Sequence, residues 1–232
     1  MKRWMYLARF FVVVPPMPLL MIGAFVVMTV ASAIVIVVDP SRATGALTPI
    51  LLLQLFGASS GFDVPARRGH YDLLLTHGGP RRWIIVAHWM ASALPGVASW
   101  LTLAVICGIA GRGRVSLFSS GTLVAVGLVS TIPWATTVRL PRFAGAIAWL
   151  LIAATVSLVT PGILTLDAPS QEWRSWAQSA WGSLVYPPLL VGKHLVGADA
   201  LRVVPGLLFA ALAFVIAFRS VNRRDIPLEA AQ

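Results

Sequence analysis

The chain is short of charge and especially of acid: eight Asp and Glu stand against eighteen Lys and Arg, and only 11% of its 232 residues are charged. Soluble domains carry about 25% charged residues, so there is too little charge here to hydrate the surface of a soluble enzyme. The 58% of hydrophobic residues equally excludes a disordered chain. Cysteine occurs once, at Cys107, which excludes a disulfide scaffold and a thiolate metal cluster. The four histidines, His70, His77, His88 and His194, form no HExxH and no spacing that would set ligands on one face with carboxylates, so no metal is expected. Gly192-Lys193 is followed by His194 rather than Ser or Thr and has no glycine five positions earlier, so there is no phosphate-binding loop and no cofactor is expected on this chain.

Long apolar runs are what the sequence has instead. Breaks at proline, glycine and charge clusters divide it into six spans, at about 17 to 38, 46 to 62, 83 to 110, 117 to 138, 143 to 162 and 203 to 219. All are expected to be helical, because lipid offers no partner to unpaired backbone groups and a span needs about 20 apolar residues. The fold class is therefore an all-α integral membrane protein, with residues 1–232 forming one transmembrane domain. Pro49, Pro95 and Pro133 fall inside spans two, three and four, where they are expected to kink the helices. No acid or base falls at mid-span, which argues against a proton pump or an ion-coupled carrier.

The net charge of +10 reports topology. Nucleic-acid binders gather Lys and Arg into one patch, whereas here they fall in pairs between apolar runs, so no nucleic-acid partner is expected. With the N-terminus inside, twelve of the eighteen positive residues lie on the inner side, among them Arg67, Arg68, Arg81, Arg82, Arg139 and Arg142. Arg42, Arg112, Arg114, Arg174, Lys193 and Arg202 lie outside. Both termini are expected to be cytoplasmic. A signal peptide cleaved at Ala31-Ser32-Ala33 is rejected, because the apolar run continues through Ile34 to Val38.

Three segments outside the spans have patterns of their own. Residues 1–16 read as an interfacial helix: Trp4, Leu7, Phe11 and Val14 share a face opposite Lys2 and Arg9, and Pro15-Pro16 forces a turn; the alternative is an overlong first span. Residues 63–82 form a loop on the inner side that is charged at both ends and apolar in the middle. Tyr71, Leu74 and Leu75 share a helical face, Asp72 points away, and Gly78-Gly79-Pro80 stops the helix. Such a face needs cover from the membrane, from the chain itself or from a partner. The outer segment, residues 163–202, places Trp173, Trp176 and Trp181 on one helical face suited to the outer interface, and Tyr186-Pro187-Pro188 introduces a second, re-entrant piece.

Gly57-Ala58-Ser59-Ser60-Gly61 matches the nucleophile elbow of hydrolases by letters only. It lies in an apolar helix without a paired histidine and acid, so Gly57 and Gly61 read better as close helix packing. Asp63 is expected to pair with Arg67 at i+4 or to face water.

Taken together, the chain resembles the membrane subunit of type-2 ABC exporters, the ABC-2 permeases. The likeness covers most of the chain in architecture. In sequence it is carried by residues 57–89: Phe62-Asp63, Arg67-Arg68-Gly69, Tyr71-Asp72-Leu73-Leu74-Leu75-Thr76 and Arg81-Arg82 follow that family's pattern of acidic residue, Arg-Gly, Leu-Leu and basic residue. Asp63 stands where many relatives have Glu, and the outer segment is smaller than in members with a large external domain. The resemblance implies six spans, an N-terminal interfacial helix, a cytoplasmic coupling helix between spans two and three, and short re-entrant outer helices before span six. It implies a place in the inner or plasma membrane and pairing with a second copy or a homologous permease. A separately encoded P-loop ATPase subunit would hold the ATP and Mg. Tyr71, Leu74 and Leu75 would then supply apolar contact with that ATPase, while Asp63, Arg67, Arg68 and Asp72 orient the helix. The other reading is a membrane scaffold or regulatory subunit that holds a cytoplasmic partner and transports nothing.

Overall fold

A computed structural model describes residues 10–11, 17–60, 81–110, 117–138, 140–141, 143–159 and 186–223. Among them the fold is all-helical. Six helices occur: α1 (Leu19–Val38), α2 (Ala43–Ala58), α3 (Arg81–Ala110), α4 (Ser120–Thr136), α5 (Ala144–Val159) and α6 (Ala198–Arg223). Two short 3₁₀ turns, Pro40–Arg42 and Pro187–Leu190, complete the order. Three stretches, Leu19–Val38, Arg82–Ala110 and Ala198–Val221, are long and apolar enough to cross a membrane. With those helices the chain is a membrane protein.

The helix ends follow from local chemistry. α1 has no charged residue, and it stops where Asp39 donates its N–H to the Val35 carbonyl and Pro40 opens the 3₁₀ turn. Asp39 Oδ1 accepts from the Ser41 hydroxyl (2.5 Å) and N–H (3.1 Å), and Asp39 Oδ2 pairs with Arg42 Nε at 3.1 Å. α2 ends at Ala58, short of the expected residue 62, because Ser59 and Ser60 turn and the Ser59 carbonyl accepts the Phe143 N–H (2.9 Å). Phe143 holds φ 63° at the entry to α5, a conformation that costs a side-chain-bearing residue energy. Ser119 caps α4 by accepting the Thr122 N–H. α6 begins at Ala198, five residues before the expected start at 203, since Gly197 makes the turn at φ 56° and Asp199 bonds Arg202 one turn on at 3.0 Å. Arg202 is thus a buried helical residue and not part of an outer loop.

Consecutive helices run antiparallel. One end of the bundle gathers Ser60, Phe143 and the first turns of α3, and the other gathers Asp39, Ser119 and the Pro187–Leu190 turn. Two separate hydrophobic clusters fill the interior. The larger lies mostly toward the Asp39 end and holds Ile36, Leu47, Ile50, Trp100, Leu103, Leu128, Leu190 and their neighbours, and along α1 it reaches Phe25 and Met17 beside Gly57. The smaller lies toward the Ser60 end and holds Phe11, Ala58, Ile84, Ile85, Trp134, Ala217 and Val221.

At the Asp39 end, the segment before α6 is bonded to the first turn of α4. The Gly121 N–H donates to the Lys193 carbonyl (3.0 Å), the Gly192 N–H to Thr122 Oγ1 (2.9 Å) and the Leu195 N–H to Ser120 Oγ (2.8 Å). A Cβ on Gly121 would strike the carbonyl oxygens of Leu190 and Lys193, whereas one on Gly127, in the same helix, would meet nothing within 4 Å. Gly121→Ala should therefore destabilise the protein by roughly 1–3 kcal/mol, while Gly127→Ala should be neutral or stabilise it by a few tenths to about 1 kcal/mol. Thermal unfolding in detergent of the two variants measures the difference.

The Asp39 turn has a pH signature. Hydrogen bonds from Ser41, helped by the Arg42 charge, hold the Asp39 carboxyl below its ordinary value of 3.8. A depressed folded-state value means that the turn's stabilisation is present above about 3.8 and is lost as pH falls through the lower folded-state value. Carboxyl NMR titration should find the Asp39 midpoint below 3.8, and Ser41→Ala should move it up toward that number.

Candidate functional site

The residues expected to couple to a partner, Asp63, Arg67, Arg68, Tyr71, Asp72, Leu74 and Leu75, lie outside the described residues, as do Gly61, Trp173, Trp176 and Trp181. Their anchors are described. α2 ends at Ala58, with Ser59 and Ser60 in the turn beyond it, and α3 begins at Arg81, so the chain leaves and re-enters the bundle at the same end. Arg82 and Trp83 start α3 on its exposed side, with the guanidinium 5.8 Å from the centre of the indole ring. An arginine stacked on an exposed tryptophan suits the boundary between lipid and water.

Behind these anchors the Ser60 end is built from aromatic rings. Trp134, fully buried in the last turn of α4, donates its indole N–H to His88 Nδ1 of α3 at 2.9 Å. His88 is thus a hydrogen-bonded core residue. With Nδ1 accepting, the ring carries its proton on Nε2. Phe11 meets the His88 ring edge-on at 5.8 Å, which ties residues 10–11 to the helices. Phe214 of α6 stacks on Trp134 (5.6 Å) and meets Trp89 edge-on (5.4 Å). Four separate parts of the chain therefore share one ring cluster directly beneath the start of α3.

A second polar site sits deeper, and nothing in the sequence singled it out. Gln54 of α2 is 1% exposed. Its Nε2 donates to the Ser92 carbonyl and its Oε1 accepts the Gly96 N–H, both at 3.1 Å. In a regular helix those two α3 groups bond each other, as residues i and i+4. Between them stands Pro95, which has no N–H to offer the Ala91 carbonyl. The Gln54 amide therefore seats itself against the proline and bonds α3 on both sides of it. A Cβ at position 96 would run into the Gln54 side chain, so only glycine leaves room for this approach. Nearby, Thr29 Oγ1 of α1 lies 2.8 Å from Ser99 Oγ of α3, and Ser32 Oγ donates to the Ala46 carbonyl of α2 at 2.8 Å.

Gly57 lies in the last turn of α2, where Met17 and Phe25 press against it; a Cβ there would come within 2.7 Å of the Met17 methyl. Phe25 belongs to α1, and Met17 stands two residues before that helix begins. Ser59 and Ser60 are buried in the turn after α2. Pro49, Pro95 and Pro133 lie inside their helices, and Pro205 in α6 joins them. Among the described residues no group of three or more His, Cys, Asp or Glu could hold a metal.

Comparison with protein-family models, curated proteins and solved structures finds no match to this chain.

The Trp134–His88 bond crosses between helices in an apolar layer, where such bonds contribute about 0.6 kcal/mol on average and up to about 1.7. A double-mutant cycle of Trp134→Phe and His88→Phe should give a coupling energy of roughly 0.5–2 kcal/mol in detergent unfolding. A coupling indistinguishable from zero would show that the two rings merely pack.

Proposed function

We propose that the chain is the membrane-spanning permease subunit of an ATP-driven exporter, coupled to a separately encoded P-loop ATPase. In this reading all six helices cross the membrane, with the Ser60 end and both termini in the cytoplasm. The shorter α2, α4 and α5 span with help from their flanking turns, and two copies pair around the path. What carries the reading is the stretch between Ser60 and Arg81. Its sequence pattern would set Tyr71, Leu74 and Leu75 on one helical face between basic pairs, and the two described ends that flank it, Ser60 and Arg81, lie at the same end of the bundle. Such a face, if it forms beyond the bundle, would need a protein or membrane to cover it. The lack of mid-membrane acids or bases, with Gln54 as the buried polar anchor, fits a path driven from outside the bilayer better than one driven by protons.

The chain by itself should hydrolyse no ATP, and gentle affinity purification from its native membrane should bring a P-loop ATPase with it. Arg67→Glu combined with Leu74→Asp should reduce the recovered ATPase at least tenfold while the chain still reaches the membrane in normal amount. Undiminished recovery would remove the coupling assignment. ATP-dependent flux in vesicles that hold both proteins separates a permease from a scaffold, which would bind the ATPase without transport.

A further inference from the structure

The two hydrophobic clusters meet at a level where apolar packing gives way to polar contacts and prolines. α3 contributes Ile84, Ile85 and Ala87 to the cluster at the Ser60 end and Trp100, Leu103, Ala104 and Cys107 to the other, and the changeover falls at Pro95-Gly96. α4 changes over between Ile132 and Trp134, across Pro133. α2 changes over between Leu51 and Ala58, and Gln54 lies in that interval. A proline removes a rung from the backbone ladder, and a side chain that inserts beside it is a recognised cause of a helix kink. Here the inserted side chain holds the two halves of α3 through one atom each: Nε2 holds Ser92, before the proline, and Oε1 holds Gly96, after it. Trp89 Nε1, in the Ser60-end cluster, and Ser130 Oγ, three residues before Pro133, are buried with no hydrogen-bond partner among the described residues. Buried polar groups without partners are costly and few.

We propose that α3 is hinged at Pro95-Gly96 and that the Gln54 carboxamide is the latch of the hinge. With the latch made, the two clusters keep one relative orientation. With it released, the Ser60-end cluster swings as a unit: the first half of α3, Trp134, Phe11 and the end of α6 move together against the larger cluster. α6 crosses the level without a proline between Ala210 and Ala217 and bends elastically. The use of this motion, to carry a push on the 61–80 stretch into the membrane, rests on the exporter reading. The hinge itself does not.

The test reads the length of α3 in the full chain, in lipid nanodiscs and without any partner. Spin labels at Arg82→Cys and Ile109→Cys, both exposed positions, in a Cys107→Ala background, report the end-to-end distance, roughly 40 Å for a helix of this length. The native latch should give one narrow distribution. Gln54→Met, similar in volume and without the amide, should broaden it and add a population shorter by about 3–5 Å, as a bend of about 45–60° at Pro95 requires. Gly96→Ala, whose methyl group displaces the carboxamide, should do the same and stands in if Gln54→Met does not fold. Adding Pro95→Ala to Gln54→Met restores the missing N–H and should return the narrow distribution. An unchanged distribution in Gln54→Met and Gly96→Ala overturns the latch. Broadening that Pro95→Ala does not reverse overturns the hinge, since it means general loosening. If the distances behave as expected and no ATPase is recovered with the chain, the hinge stands and the exporter reading falls.

Discussion

A proline in the middle of a helix surrounded by hydrocarbon creates a debt of hydrogen bonds that lipid cannot settle, and much of this bundle is arranged around Pro95. The Gln54 carboxamide can reach the Ser92 carbonyl and the Gly96 N–H only if α2 lies directly against α3 at Pro95. That in turn requires position 96 to lack a side chain. Once α2 and α3 are set in depth and rotation, α1 is placed by two further bonds, Ser32 to the Ala46 carbonyl and Thr29 to Ser99. Apolar contact cannot do this, because lipid tails are as apolar as Leu or Ile and give helices no reason to prefer each other. A few directional contacts and close approaches at small residues decide the packing. Gly57 against Met17 and Phe25 is the second kind of contact, on the same pair of helices.

The two ends of the bundle are closed by different physics. At the Asp39 end, backbone groups of the segment before α6 bond the first turn of α4 through Gly121, Thr122 and Ser120, and Trp100 Nε1 donates to the Leu117 carbonyl at 2.8 Å. Such bonds are directional and weaken steeply when bent. At the Ser60 end, rings predominate, Phe11, His88, Trp89, Trp134, Phe214 and Phe218, joined by the side-chain hydrogen bond from Trp134 to His88 and the backbone bond from Phe143 to Ser59. Ring contacts tolerate sliding over several geometries at small cost.

The sequence made the helices legible and left their registry hidden. The described helices lie where the apolar runs are, three of them, α1, α3 and α6, long and apolar enough to cross a membrane, and the larger errors are at capped or turned ends. Ser59-Ser60 ends α2 through a carbonyl bond to Phe143, 84 residues away in sequence, which no local pattern announces. Gly197 starts α6 early by taking a left-handed conformation, and a glycine beside Val196 does not declare that in advance. Gln54 was visible as a polar residue in an apolar run, and Pro95 as a break in another. Pairing them needs the depth of α2 against α3. Gln54 stands four residues before the end of α2 and Ser92 eleven after the start of α3, an offset that sequence spacing cannot supply. The candidate coupling residues pose the opposite case, since their pattern is legible while their placement falls outside the described residues.

The position of the bend also sets how far a push at the surface travels. From Arg81 to Pro95, α3 rises about 20 Å at about 1.5 Å per residue. Turning that arm by 10° about its far end moves its surface end by roughly 3.5 Å, about the rise of two residues, which is enough to exchange the partners of a hydrogen bond or to slide one ring past another. If α3 were straight, the same displacement would have to tilt the whole helix and break its bonds to α1 at Ser99 and to the turn before α4 at Trp100. A break near the middle confines the movement to the half of the helix that is packed by rings. The polar side chain from α2 that spans the break resists it through two bonds, each a small energy in this setting. The bundle thus combines a lever long enough to matter with a catch weak enough to release, and both lie on the two helices that bracket the 61–80 stretch.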